Sequence, residues 1–200
     1  MLPMVFLYLC CGRVTQVLPV DKYRDPDSTI QLLSKGGQCM SSGVLIKGGY
    51  VITAAHSVLE DADTVVSELT IDGTAFDVIC SDLRTDLALL RPRQKIKGIT
   101  EAIISISNAR PSDHISLIGC PESIPDSKTK GAVIPFTSLS EFMVDAWCAP
   151  GSSGGGVWNN NNELTGIMIS MSNGCDVRTC FAASAHAIHA FLYKCNAPIN

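Results

Sequence analysis

The sequence has no long hydrophobic run, no excess of basic residues and no pair of cysteines at the Cys-x-x-Cys spacing. Its first eleven residues, MLPMVFLYLCC, are apolar but fall well short of the roughly 20 residues that a membrane-spanning helix requires. We therefore expect no stable membrane span. The 15 Lys and Arg against 19 Asp and Glu give a net charge of −4 and no broad basic surface, so we expect no nucleic-acid partner. The cysteine spacing fits no zinc finger.

The chain divides into an apolar N-terminal segment and arm, residues 1–27, and a globular part, residues 28–195. The first cation, Arg13, follows the apolar run, whereas a secretory signal starts with a basic region and ends at a small-residue cleavage site. Two interpretations stay open. Either residues 1–12 act as a short or mis-started export signal, with a secreted or cell-envelope location, or they form a strand or arm packed on the body.

From residue 28 onward, short β-branched or aliphatic runs are separated by Gly, Pro, Asn, Asp and Ser, which is typical of an all-β fold. Six strands are predicted in residues 28–92: 29–33, 42–47, 50–54, 64–71, 76–80 and 87–91. Six more are predicted in residues 99–182, after a polar link: 103–107, 114–119, 131–139, 141–145, 155–158 and 164–171. Closure removes exposed sheet edges, so we predict two six-stranded antiparallel β-barrels. Helical spacing predicts a closing α-helix at residues 183–194.

The sharpest local signal is a serine among glycines in PGSSGGG, residues 150–156. Hydrolysing a peptide requires a nucleophile and also donors for the negative charge that develops on the carbonyl oxygen. Ser153 is the candidate nucleophile, and the backbone N–H groups of Gly151 and Ser153 are the candidate oxyanion hole. Taken alone, such a cluster is more often a flexible turn than a catalytic one.

A serine hydroxyl is a poor nucleophile unless an imidazole takes its proton and a carboxylate fixes the tautomer of that imidazole. His56 ends the apolar strand YVITAAH, and Asp86 opens the apolar run DLALLRP. Each residue alone is more often structural, but the two together fit the chemistry that Ser153 needs. The remaining histidines lie in a polar turn or on the tail helix and default to non-catalytic roles: His114, His186 and His189.

Three blocks of the sequence resemble trypsin-like serine peptidases, and among them the HtrA-type (Deg) catalytic domain and related bacterial and viral peptidases. SGVLIKGGYVITAAHSV resembles the family's histidine block, RTDLALLRP its aspartate block and DAWCAPGSSGGGVWNNNNELTGIMIS its serine block, in the family's order. The tail FAASAHAIHAFL resembles the last strand and closing helix, so the similarity spans residues 28 to 194. The family places its acid directly before the Leu-Ala-Leu-Leu strand, which favours Asp86 over Asp77 and Asp82.

The resemblance implies a chymotrypsin-type fold with the active site between the barrels. It also implies a serine endopeptidase that forms an acyl-enzyme on protein or peptide substrates and needs no cofactor and no metal. Ser153 would attack the scissile carbonyl, His56 would carry the proton and Asp86 would orient His56. A catalytically inert binding or chaperone module, and an esterase with the same triad, stay as alternatives. Because the chain ends soon after its tail, we expect no PDZ domain of the kind that many HtrA-type chains carry.

The resemblance further implies a substrate pocket near Trp147, with Ser170 and Met171 on its wall. No side chain there is charged, so we expect a preference for uncharged residues, small or aliphatic, before the cut. A Cys148–Cys175 disulfide would join the two walls of this pocket, with reduced buried cysteines as the alternative.

A structural zinc site is a weaker alternative, because its spacing fits no standard finger. Its ligands would be Cys175, Cys180, His186 and His189. The sequence leaves open the natural substrate, self-processing and the oligomeric state.

Overall fold

A computed structural model of the chain describes residues 9–10, 13–14, 28–34, 36–61, 64–66, 69–135, 138–173 and 178–199. The strands β1 (Leu9–Cys10) and β2 (Arg13–Val14) form a two-stranded antiparallel sheet near the N-terminus. The rest of residues 1–27, and with it the choice between an export signal and a packed arm, lies outside the described residues. No helix in the described part of the chain combines the length and the apolarity needed to cross a bilayer.

The first half of the molecule is a six-stranded antiparallel sheet. Its strands are β3 (Thr29–Leu33), β4 (Cys39–Ile46), β5 (Tyr50–Ala54), β6 (Thr70–Ile71), β7 (Phe76–Asp82) and β8 (Leu87–Pro92). They run in the order β6-β3-β4-β5-β8-β7, so β6 and β7 are edges and the sheet is a half-barrel. In β8 the first four residues are all buried, because alternate side chains pack into separate hydrophobic clusters on the two faces of the sheet.

The second half is a closed six-stranded barrel. Its strands are β9 (His114–Gly119), β10 (Ser127–Ile134), β11 (Glu141–Asp145), β12 (Gly156–Trp158), β13 (Leu164–Asn173) and β14 (Arg178–Ser184). They follow the order β10-β11-β14-β13-β12-β9, and β9 pairs back onto β10. Helix α1 (Ala185–Lys194) comes directly after β14, and the Ser184 hydroxyl caps it by accepting from the Ala187 N–H. The predicted all-β fold with a closing helix is confirmed, with the first sheet open rather than closed.

Residues 103–107 do not form the predicted strand. Just before this segment Ala102 makes one isolated bridge to Ile46 of the first sheet, and Ile104 within it makes another to Leu164 of the barrel. Ala102 and Ile104 are buried while Ile103 is exposed, which produces a strand-like alternation in the sequence. The segment therefore fastens the two halves to each other instead of belonging to either sheet.

The sixth strand of the barrel is β14, which the sequence indicated only as the tail resembling the family's last strand. Its residues RTCFAAS are mostly small or polar and carry a weak β signal. In the first sheet, the predicted strand 64–71 is reduced to β6, and part of the remainder lies outside the described residues. The predicted strand 131–139 lies earlier in the chain, at β10.

Both sheets and the helix share one hydrophobic core. Its members include Ile46 and Leu89 from the first sheet, Trp158 and Ile167 from the barrel, and Phe191 from α1. Two further hydrophobic clusters are separate from this core: one packs within the first sheet and the other within the barrel. The shared cluster fixes the strand ends of one half relative to those of the other.

Three disulfides cross-link the described chain. The first joins β4 to the residue after β9, the second joins β7 to the residue after α1, and the third lies inside the barrel. They are Cys39–Cys120, Cys80–Cys195 and Cys148–Cys180.

The expected Cys148–Cys175 pairing is wrong, because Cys148 is bonded to Cys180. Cys148 and Cys180 are almost fully buried in the same barrel cluster, with their Cα atoms 6.5 Å apart. Cys175 lies outside the described residues. The bonded Cys180 is no thiolate ligand, so the zinc alternative built on it also falls.

Candidate active site

The acid and base come from two neighbouring strands of the first sheet. β5 and β8 are paired, and their last ladder pair joins Ala54 to Leu87. A 3₁₀ turn over Ala55–Ser57 follows β5 and carries His56, while Asp86 immediately precedes β8. The pairing therefore brings a histidine and an aspartate that are 30 residues apart in the chain to one end of the sheet.

Asp86 is held in place by the backbone of the histidine turn. Its own backbone is left-handed, with φ of 51°, a conformation that Asp tolerates better than most residues. The carbonyl of Asp86 accepts from the Ala55 N–H at 3.0 Å, and its Oδ1 accepts from the His56 N–H at 2.9 Å. The second carboxylate oxygen is thereby directed at the imidazole.

A continuous line of hydrogen bonds runs from Asp86 through His56 to Ser153. Asp86 Oδ2 lies 2.6 Å from His56 Nδ1, and His56 Nε2 lies 2.9 Å from Ser153 Oγ. When Nδ1–H donates to the carboxylate, Nε2 is left free to accept the serine proton. The hydrogen bond to Asp86 raises the pKa of His56 above its ordinary value of 6.5; burial opposes this rise, and the charge of Asp86 adds to it.

The rival acids are engaged elsewhere. Asp77 Oδ1 accepts from the guanidinium of Arg93, at 2.9 Å from Nη2. Asp82 Oδ2 accepts from Lys194 Nζ at 2.9 Å, and this bond holds the pKa of Asp82 below its usual value. Of the three candidate acids, the structure brings Asp86 to the imidazole.

The other histidines lie away from this line of bonds. His114 is exposed at the start of β9, and His186 is exposed on α1. His189 Nε2 donates to the Ser105 carbonyl at 2.9 Å. Among the described residues no group of three His, Cys, Asp or Glu side chains is arranged to hold a metal ion.

The serine loop, residues 150–155, takes a path that only glycine permits at two positions. Gly151 has φ of 97°, and Gly154 has φ of 79°. A Cβ on Gly154 would overlap the Ser42 carbonyl and the Thr53 hydroxyl, so the loop packs against the first sheet without any side chain between them. This close approach sets Ser153 opposite His56.

The two candidate oxyanion donors belong to peptide planes with fixed orientations. The Pro150 carbonyl, which shares a plane with the Gly151 N–H, accepts from the Glu122 N–H at 2.8 Å. The Ser152 carbonyl, which shares a plane with the Ser153 N–H, accepts from the Gly155 N–H at 2.9 Å. Within the described part of the chain, neither the Gly151 nor the Ser153 N–H has a protein acceptor, so both can donate to a ligand.

The candidate substrate residues come before and after the serine loop in the chain. Trp147 is half-buried after β11, and its carbonyl accepts from the Thr129 hydroxyl at 2.9 Å. Ser170 is exposed and Met171 is half-buried on β13. Beyond Met168, which bonds to the serine loop, β13 pairs with β14 alone among the described strands and has a free edge on its other side.

The sequence analysis did not single out Ser42 and Thr53, two polar residues of the first sheet that lie against the serine loop. Ser42 donates through both its N–H and its hydroxyl to carbonyls of that loop, and the Thr53 hydroxyl donates to the Ser42 carbonyl. The only signal in the sequence was their position, in SSGV and YVITA, within the strands that end near the site.

Solved protein structures share this architecture. The active form of the Rv3671c protease from M. tuberculosis matches with a TM-score of 0.71 at 19% identity, covering 96% of this chain and 95% of that one. The serine endoprotease from Yersinia pestis matches with a TM-score of 0.70 at 23% identity, covering 86% of this chain and 64% of that one. The molecule has the trypsin-like fold.

Sequence similarity identifies the family within this fold. The profile of the trypsin-like peptidase domain matches residues 41–167, and the chain belongs to that family. The periplasmic serine endoprotease DegP of Salmonella typhimurium is 34% identical in an alignment 150 residues long, which covers 66% of this chain and 31% of DegP. The periplasmic pH-dependent serine endoprotease DegQ of Escherichia coli is 34% identical in an alignment 140 residues long, which covers 64% of this chain and 30% of DegQ. The chain thus matches less than a third of the length of each of these relatives.

Proposed function

We propose that this chain is a serine endopeptidase whose catalytic triad is Ser153, His56 and Asp86. The observation that carries the proposal is the line of hydrogen bonds from Asp86 to Ser153, with distances of 2.6 and 2.9 Å. DegP and DegQ, the relatives described above, are named as serine endoproteases, which supports the same reaction class.

The reaction follows from the positions of these groups. Ser153 Oγ attacks the scissile carbonyl carbon, and its proton passes to His56 Nε2 while Asp86 stabilises the imidazolium. The carbonyl oxygen becomes an oxyanion that accepts from the N–H groups of Gly151 and Ser153. His56 then gives its proton to the leaving amine, and the peptide bond breaks to leave an acyl-enzyme. Water attacks the ester, its proton passes to Nε2, and the new carboxyl group leaves as the proton returns to Ser153.

The substrate chain is expected to extend along the free edge of β13. An extended peptide can add to an open strand edge through its main chain, and pockets beside it select side chains. Trp147, Ser170 and Met171 are the side chains assigned to that pocket, and none is charged. The enzyme is therefore expected to prefer an uncharged, small or aliphatic residue before the cut, and cleavage-site profiling with a peptide library that returned strict Arg or Lys preference would contradict this.

The proposed location is an oxidising compartment, secreted or in the cell envelope. Three disulfides in a chain of 200 residues favour such a compartment, because cytosolic thiols are kept reduced. DegP and DegQ are named as periplasmic. Mass mapping of the protein purified without reductant should find these bridges, and free thiols at all six positions would contradict the location.

The decisive experiment compares wild type with Ser153→Ala. A fluorophosphonate probe should label the wild type once, at Ser153. Ser153→Ala should not be labelled, and its turnover of casein should be about 10⁶-fold lower. Ser41→Ala is the matched control, since Ser41 is a buried serine whose hydroxyl has no partner within the described residues.

Each alternative gives a distinct result. No labelling of the folded wild type would favour an inert binding module. Labelling and hydrolysis of activated esters without cleavage of casein or peptides would favour an esterase.

A further inference from the structure

Ser42 is a fully buried serine of the first sheet that makes three hydrogen bonds at the boundary between the two halves. Its hydroxyl donates to the Gly151 carbonyl at 2.9 Å, and its N–H donates to the Ser153 carbonyl at 2.8 Å. Its own carbonyl accepts from the hydroxyl of Thr53, also fully buried, at 2.6 Å. One residue of β4 thus contacts both residues that supply the proposed oxyanion donors.

These contacts act on a glycine of the serine loop, Gly151. Gly151 has no Cβ to limit its φ and ψ, and it lies in the left-handed region. The peptide plane before it is fixed by the bond between the Pro150 carbonyl and the Glu122 N–H. The plane after it is held at both ends: its carbonyl accepts from the Ser42 hydroxyl, and its N–H, that of Ser152, donates to the Ala149 carbonyl at 2.9 Å. With both flanking planes held, the direction of the Gly151 N–H is set.

The strand pairing leaves the first residues of β4 available to bond with the serine loop. β5 pairs with β4 only at Val44, Leu45 and Ile46, so the earlier residues of β4 have an open edge on that side. The serine loop occupies this edge, and Gly154 sits in the fork between the two strands, against the Ser42 carbonyl and the Thr53 hydroxyl. The Thr53 bond spans the fork and fixes Ser42 for its contacts with the loop.

We propose that Ser42 is a positioning residue for catalysis: its hydroxyl orients the Gly151 amide and so keeps the oxyanion hole formed before substrate arrives. The proposal rests on the proposed peptidase function and assigns to Ser42 no contact with the substrate. The hole stabilises the transition state more than the bound substrate, so a loss at Ser42 falls on kcat and leaves KM nearly unchanged.

The test compares Ser42→Ala with Ser41→Ala, the same substitution at the preceding buried position. The substrate is a fluorogenic peptide carrying a casein site cleaved by the wild type. We expect Ser42→Ala to lower kcat about 10-fold, as one neutral hydrogen bond would, and less than the 10²–10³ lost with an oxyanion donor itself. Ser41→Ala should keep the wild-type kcat. Thr53→Val removes the hydrogen bond to the Ser42 carbonyl and should also lower kcat.

A transition-state analogue separates positioning from a purely structural role. A peptide aldehyde forms an adduct on Ser153 whose oxygen occupies the oxyanion hole, so its affinity should fall by the same factor as kcat/KM in Ser42→Ala. A folded Ser42→Ala that melts at lower temperature but keeps the wild-type kcat and aldehyde affinity would overturn the proposal. A wild type inactive on peptides would instead overturn the proposed function, so the two failures are distinguishable.

Discussion

In the first sheet the acid–base pair is held by bonds within its own half of the molecule, whereas the serine loop is held both by bonds within the barrel and by bonds from the opposite half. Asp86 bonds to Ala55 and His56, all from one sheet. The carbonyls of Gly151 and Ser153 bond to Ser42 across the boundary. All the bonds that hold the acid–base pair thus lie in one sheet, but part of the support for the serine loop forms only when the two halves are packed together.

Asp86→Asn tests the acid–base pair of the first sheet, and we expect it to cause the largest loss of activity. An amide in place of the carboxylate removes the acceptor of Nδ1–H and favours the wrong tautomer, so turnover should fall about 10⁴-fold without loss of folding. Asp77→Asn is the matched control, because Asp77 bonds to Arg93 and not to the site. Steady-state rates on the casein-derived peptide measure both, and a comparable loss in Asp77→Asn would mean that the acid is misassigned.

The pH profile sharpens the same test. His56 acts as a base only when neutral, and Asp86 raises the pKa of His56 above 6.5. The acid limb of kcat/KM should therefore have its midpoint above pH 6.5, with activity rising as pH passes through it. In Asp86→Asn the causes that raise this pKa are gone while partial burial still lowers it, so the limb should move to lower pH. An unmoved limb would show that another group controls it.

Gly154→Ala tests the contact between the serine loop and the first sheet. It should lower kcat/KM about 10²–10³-fold, as disruption of an oxyanion hole does. A Cβ there would meet the Ser42 carbonyl and the Thr53 hydroxyl, so the loop must leave the first sheet. Gly73→Ala is the matched control: it has nearly the same φ, 76° against 79°, but no atom within 4 Å of the added Cβ. Equal kinetics in the two variants would mean that the contact of Gly154 across the boundary does not control the activity.

The same contrast explains which features the sequence predicted. His56, Asp86 and Ser153 each lie beside an apolar strand whose end is readable locally, so the sequence singled them out. Ser42 could not be assigned a role, because its partner Gly151 is 109 residues away and the bond depends on how the halves pack. Contacts inside one sheet leave a periodic trace in the sequence, and contacts between sheets do not.

The errors in the sequence analysis have the same origin. Around residue 103 buried and exposed side chains alternate as in a strand, although the buried ones bond to different sheets. Hydrophobic periodicity shows which residues are buried, but it does not show which sheet each of them contacts. The resemblance implied Cys175 as the partner of Cys148, but β14 places Cys180 in the barrel interior beside it. Closure of the first sheet was expected from edge avoidance, yet β6 and β7 stay apart as edges.

Removing either of two disulfides should have an effect of intermediate size, and the two can be compared. Cys39–Cys120 and Cys80–Cys195 close long loops, with separations of 81 and 115 residues, so removing either as a double Ser variant should lower stability by about 2–4 kcal/mol. Only the first adjoins the serine loop, where the Cys120 carbonyl lies against Gly151. We expect lower activity at 25 °C from Cys39→Ser with Cys120→Ser, and near wild-type activity from the other pair. Urea melts and peptide hydrolysis separate the two effects, and equal activities would mean that the first bridge does not support the loop.

Lys194→Met should have the smallest effect, because it removes an ion pair between the end of α1 and the end of β7, and the lysine of this pair is largely exposed. Lys194 Nζ bonds to Asp82, whose side chain is 10% exposed, but the lysine side chain is 57% exposed and solvent screens the pair. Such pairs contribute about 0–1 kcal/mol, and the neighbouring Cys80–Cys195 bridge still tethers the helix end.

The pH dependence identifies this contribution. The folded-state pKa of Asp82 is lowered by Lys194, so the bond stabilises the protein above the ordinary carboxyl pKa of 3.8 and is lost as pH falls through the lower folded value. The difference in Tm between wild type and Lys194→Met should thus be present at pH 7, shrink below pH 3.8 and weaken at high salt. Lys97→Met, a change at another exposed lysine, is the control. A loss in Lys194→Met that persisted unchanged in acid would mean that its apolar stem, not its charge, supports the end of β7.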